Sequence, residues 1–107
     1  MNKSDFKKRI QADHTNKLNG FAAALIKKIE AKISEINYKA PKYTLSADID
    51  VPYEYSGLPL EDFTAINAII TVYFKDFSPT IVLKNTKYED SHYDTAYYIN
   101  CGFTFAY

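Results

Sequence analysis

The chain has 107 residues, 47% of them apolar and 24% charged, which is the mixture of an ordinary globular domain and excludes a disordered segment. Thirteen basic side chains balance thirteen acidic ones, so the whole chain offers no strong electrostatic pull on DNA or an anionic membrane. Its longest apolar run, Phe21 to Ile26, is far below the roughly 20 residues of a membrane-spanning helix, and the lone Cys101 can neither close an intrachain disulfide nor build a zinc site by itself.

The first residues, Met1 to Lys8, carry charge with no apolar stretch behind it, so a cytosolic protein is expected. Ser4 followed by Asp5 predicts a helix start near residue 4, because a Ser oxygen accepts an orphan amide and Asp suits the positive helix end. Phe6 and Ile10, then Leu18, Phe21, Ala22, Leu25, Ile29, Ile33 and Ile36, recur at helical spacing and fall on one stripe. Asp13-His14-Thr15-Asn16 and Asn19-Gly20 interrupt that stripe with weak helix formers, which predicts two helices or one bent helix. Pro41 closes the segment, since the residue before a proline is pushed out of helical geometry.

From Lys42 the period changes to two. Tyr43, Leu45, Ala47, Ile49, Val51, Tyr53 and Tyr55 alternate with polar residues and predict one long strand, which the missing amide of Pro52 places at a sheet edge or bulges near its end. Ser56-Gly57-Leu58-Pro59 reads as a loop. Residues 64–77 predict a second strand, with Ile66, Ala68, Ile70, Val72 and Phe74 on one face and Asn67, Ile69, Thr71, Tyr73 and Lys75 on the other. Thr80 to Tyr88 forms a third and the alternation from Tyr97 to Tyr107 a fourth, with a polar loop around Glu89 to His92 between them. Short loops between sequential strands favour an antiparallel meander. The expected fold is therefore a single α+β domain, a helical layer over residues 1–40 packed on a four-stranded antiparallel sheet over 42–107.

Candidate chemistry is sparse. Asp48, Asp50 and Glu54 alternate along one strand, as carboxylates of a calcium or acid/base site would, but no glycine-bearing calcium loop surrounds them and a solvated strand face accounts for them. His14 and His92 lack metal-binding spacing and read as surface histidines. Cys101 alternates with Ile99 and Phe103 as a small core residue, and nothing in the sequence positions His92 as its base. Three glycines and no phosphate-cradling motif leave no cofactor, metal or small-molecule substrate to propose, and the chain reads as non-enzymatic.

Charge and tyrosine point instead to a protein partner or to self-association. Residues 1–40 hold nine basic against four acidic side chains and the remainder four against nine, so helix and sheet are expected to form a basic and an acidic side. Eight of the nine cations are Lys, and the sheet expected to hold bases is acidic, which disfavours nucleic acid. Nine of ten tyrosines follow residue 41. Tyr43, Tyr53 and Tyr97 share the core alternation, whereas Tyr73 and Tyr98, beside Ile69, point away from the expected core. Tyrosine is enriched at interfaces, so Ile69, Tyr73 and Tyr98, with Asp48 and Asp50, form the expected protein interface on the outer sheet face.

Ala40-Pro41-Lys42-Tyr43-Thr44, at the join of helix and sheet, resembles the Ala-Pro-x-x-Thr segment of phage proteins that complete tails or join heads to tails, with Leu45 where those proteins commonly place Gly. The resemblance implies a virion assembly part that forms a ring. The alternatives are a small inhibitor or immunity-type protein that blocks one target, and a small-ligand-binding α+β domain.

Overall fold

The structure is a computed structural model and describes residues 2–89 and 95–107. His92, weighed above as a base, lies outside the described residues. The elements in chain order are helix α1 (Lys3–Ser34), strand β1 (Lys42–Val51), a 3-10 turn (Tyr53–Tyr55), helix α2 (Leu60–Tyr73), a second 3-10 turn (Lys75–Phe77), and strands β2 (Thr80–Glu89) and β3 (Thr95–Ala106).

The expected break in the first helix is absent. α1 runs uninterrupted for 32 residues, with Asn2 as its cap: Asn2 Oδ1 accepts the Asp5 amide at 2.8 Å, and Ser4 lies inside the first turn. A glycine in a helix interior costs about 1 kcal/mol relative to alanine. Burial of Leu18, Ala22, Leu25 and Ile29 on one stripe outweighs that, each large apolar side chain contributing about 1.5–3 kcal/mol. Gly20 keeps an ordinary helical φ, so nothing in the backbone asks for a bend there.

The described sheet has three strands, in the order β1-β3-β2, and is not the four-stranded meander expected. Residues 60–73 form a helix where residues 64–77 read as a strand. Ile66, Ile70 and Phe74 are buried as expected, but their spacing of four satisfies a helix as well as a strand. Ala68 and Val72, expected beside them in the core, are exposed, while Ile69 packs partly against it. Pro59 at the cap, Glu61 and Asp62 in the first turn, and a length beyond that of an ordinary strand all favour the helix. Because β1 and β2 both run antiparallel to β3, they run parallel to each other, and α2 is the crossover such a pair requires.

β1 is an edge strand, the first of the two outcomes Pro52 allows, but it stops at Val51, so Pro52 itself lies outside the strand. Tyr53 and Tyr55 therefore sit in the following turn, and Tyr53 is exposed instead of buried. Tyr43 does enter the core, and its hydroxyl accepts the Ala40 amide at 2.8 Å while donating to the Tyr38 carbonyl, which fixes the passage from α1 to β1.

Tyr43, Ala47, Ile49 and Val51 of β1 and Ile99, Cys101, Phe103 and Phe105 of β3 bury one sheet face against both helices. Phe103 and Phe105 continue into an aromatic cluster with Phe74 and Phe77, ring centroids 5.0–5.8 Å apart. Cys101 is a core residue as expected, and burial pushes its thiol up to about 11.

Candidate interaction surface

The outer sheet face holds three of the five expected interface residues. Asp50 pairs in register with Tyr98, and Asp48 with Asn100. Glu54 has left the strand for the turn. Asn100 Nδ2 donates to Asp48 Oδ1 at 2.6 Å and to Ser46 Oγ at 2.9 Å, and Thr104 Oγ1 to Thr44 Oγ1 at 3.3 Å. These polar side chains satisfy one another, the arrangement of a solvated face.

The expected division into a basic and an acidic layer does not form. The outward residues of β1 and β2 include Lys42 and Lys84 as well as Asp48 and Asp50, and the helical layer contains acidic α2 beside basic α1.

Ile69 and Tyr73 belong to α2, on the opposite side of the sheet from Tyr98. Tyr73 is exposed, and its hydroxyl donates to Glu30 Oε1 of α1 at 2.5 Å. That hydrogen bond, then local desolvation, then the Glu30 charge raise the Tyr73 pKa above the ordinary phenol value.

At the other end of α2, the buried Asp62 carboxylate meets His14, whose Nε2 is 3.1 Å from both of its oxygens. His14 stacks on Tyr55, centroids 6.1 Å apart, and is half-buried, not free on the surface. The His14 and Tyr73 contacts together show that α1 and α2 run side by side in the same direction.

The most unusual surface is the outward side of α2. Two charges, Glu61 and Asp62, lie in its first turn, and from Phe63 to Phe74 there is none. Only the inward stripe of Asp62, Ile66 and Ile70 is buried. Leu60, Thr64, Ala68, Thr71 and Val72 face solvent, and the two hydroxyls donate back into their own helix, Thr64 to the Leu60 carbonyl and Thr71 to Asn67 Oδ1, both at 2.9 Å. Beside this face runs β2, a sheet edge, and the two enclose a groove of about 660 Å³ lined by Leu60, Phe63, Ala68, Val72, Ile81 and Leu83. A surface helix ordinarily covers its outer side with charge, and this one leaves that side uncharged beside a sheet edge.

A second concavity, of about 520 Å³, lies at the C-terminal end of α1 among Tyr38, Tyr43, Phe77, Phe105 and Tyr107, with the Lys39 ammonium 4.8 Å from the Tyr107 ring centroid. No cluster of three potential metal-ligating side chains occurs among the described residues, and no helix there is long and apolar enough to cross a membrane. Compared with known proteins, the chain matches no family model, no curated protein and no solved structure.

Reasoning from sequence misses the bare face of α2 and the His14–Asp62 pair. The charge-free run from Phe63 to Phe74 was a usable signal for the first, whereas nothing in the sequence joins two residues 48 positions apart.

Proposed function

We propose that this protein is a non-enzymatic binding or assembly module that works through a protein interface, and that the interface is the outward face of α2 with the neighbouring β2 edge. The observation that carries this reading is the exposed, uncharged outward side of α2 between Phe63 and Tyr73. In its preferred form the module is a part of a phage virion or tail, a version supported by the Ala40-Pro41-Lys42-Tyr43-Thr44 resemblance at the α1–β1 join. In the rival form, an inhibitor or immunity-type protein, the same face covers one foreign target.

A photo-reactive side chain at position 72 tests the interface in cells that produce the protein. A protein adduct is expected there and not from position 27, on the Lys-bearing side of α1; absence of any adduct at 72 overturns the reading. The mass of the adduct separates a repeated assembly part from a blocker of a different protein.

The aromatic cleft at the end of α1 favours a second reading, a site for a small planar ligand. Ligand-induced change in tyrosine fluorescence, abolished by Tyr38→Ala, supports it, and its absence across a library of aromatic fragments removes it.

A further inference from the structure

The two edges of the sheet are finished differently. The Tyr107 amide donates to the Pro41 carbonyl at 3.1 Å, one step outside the register in which Lys42 faces Ala106. Hydrogen-bonding direction alternates along an antiparallel strand, so the odd-numbered residues of β3 turn amide and carbonyl to β1 and the even-numbered ones to β2. Through the pairing of Val82 with Gly102, the even-numbered residues of β2 bond to β3, and Ile81, Leu83, Asn85 and Lys87 turn theirs to the free edge. Asn67 of α2 agrees with this direction, its Nδ2 donating to the Ile81 carbonyl at 3.3 Å. At the opposite edge the outward residues of β1 are the even-numbered ones, and α1 sets the Lys28 ammonium on their Asp48 carbonyl.

On the β2 side the helical layer is wider than the sheet. Two helices side by side, each about 10 Å across, cover about 20 Å, whereas three strands about 4.8 Å apart cover about 14 Å. The excess, about one strand, falls beyond β2, where the groove of about 660 Å³ runs from Phe63, Ala68 and Val72 of α2 to Ile81, Val82 and Leu83. Val82 is exposed on the outer sheet face, so the groove reaches round the edge. Above the edge α2 forms a roof, kept shallow by the small side chains of Thr64, Ala68 and Thr71 and uncharged from Phe63 to Phe74.

We propose that this groove takes one extended segment of a partner protein, which adds to β2 along residues 81–87 as a fourth strand and turns alternate apolar side chains up against α2. This rests on reading the α2 face as an interface and names what that interface takes. Edge amides and carbonyls at strand spacing select backbone in strand conformation, because a helix keeps its own amides and carbonyls bonded and has few to offer. The uncharged roof selects apolar side chains, and strand geometry presents them at every second position. The β2 edge of a second copy does not fit, because it brings its own α2 into the width that a single strand fills.

Selection of a displayed library of random nonapeptides on the immobilised full chain, followed by amide hydrogen exchange of the complex, tests this. The selected peptides are expected to alternate apolar and polar residues. The best of them should slow exchange at the Leu83, Asn85 and Lys87 amides by about tenfold or more, while Lys84 and Thr86, already bonded to β3, change less. N-methylation of the peptide at alternate amides should cost about tenfold in affinity each, and at the intervening amides little. Ala68→Trp fills the roof and should abolish binding with the helical circular dichroism and Tm unchanged; if that variant unfolds, Thr71→Lys takes its place. A library without binders, selected peptides with apolar residues at every third and fourth position, or a bound peptide that leaves the three edge amides exchanging as before overturns the added strand. With a protein adduct at position 72, that result removes the strand alone; with no adduct there, the interface reading itself fails.

Discussion

α1 and α2 lie side by side over one sheet face but meet solvent in opposite ways. The outward side of α1 is charged, with Lys27, Lys28, Glu30 and Lys32 around a narrow buried stripe, and Lys28 even reaches across to donate to the Asp48 carbonyl at 2.5 Å. The outward side of α2 has no charge beyond its first turn. Two helices that pack on one core therefore differ in what they offer outside it. The difference lies in residues that folding leaves free, which is why it informs about partners and not about stability.

The sharpest way to break that comparison is to test both sides of α2. Ile70→Ala empties a fully buried site and is expected to cost about 2–5 kcal/mol in chemical denaturation, whereas exposed Val72→Ala should stay within about 0.5 kcal/mol of wild type. Equal losses would mean that Val72 is a core residue and the outward face is not free. The next largest effect concerns the clasp between the helices. Asp62→Ala leaves His14 without its carboxylate partner and should lower stability by about 1–3 kcal/mol, with the loss shared by His14→Ala in a double-mutant cycle.

The same contrast explains what could be read from the sequence. α1 was legible because lysines occupy the positions its stripe leaves over, so only a helical period fits. α2 reads as a strand in the sequence because no charge marks its second face: Ile66, Ile70 and Phe74 are spaced by four, and a strand places such residues together as readily as a helix does. The bare surface that hid the helix is also the surface that now carries the candidate interface. Of the expected site, Tyr98, Asp48 and Asp50 do share one sheet face, while Ile69 and Tyr73 left it when their segment became α2. The last strand and the edge position of β1 followed from alternation and Pro52, signals that do not depend on a second face.

Within α1, Gly20 separates what the helix tolerates from what it requires. A Cβ placed there meets nothing within 4 Å, and its φ is not in the left-handed region. Gly20→Ala should therefore stabilise the protein by about 0.5–1 kcal/mol, mainly by restricting the unfolded chain. A destabilising Gly20→Ala would mean that the helix bends there after all.

The smallest effect is read at the point where the two helices touch at their far ends. Tyr73 donates to Glu30, and ionising the phenol removes that donor and sets two negative charges together, so its pKa in the folded protein lies above the ordinary 10.0. The folded state therefore keeps the phenol proton at a pH where the unfolded chain has begun to lose it. The contact's contribution is complete below pH 10.0 and disappears as pH rises through the folded pKa. Ultraviolet titration of a Tyr73→Phe difference spectrum should place this phenol above 10.0, and Glu30→Gln should bring it back toward that value. Because the pair is exposed, neither change should move the melting temperature at neutral pH measurably. A Tyr73 that titrates normally in wild-type protein would show that the two helices are joined only at the His14–Asp62 end and by the apolar stripe between, leaving the far end of α2 free to move with whatever covers its bare face.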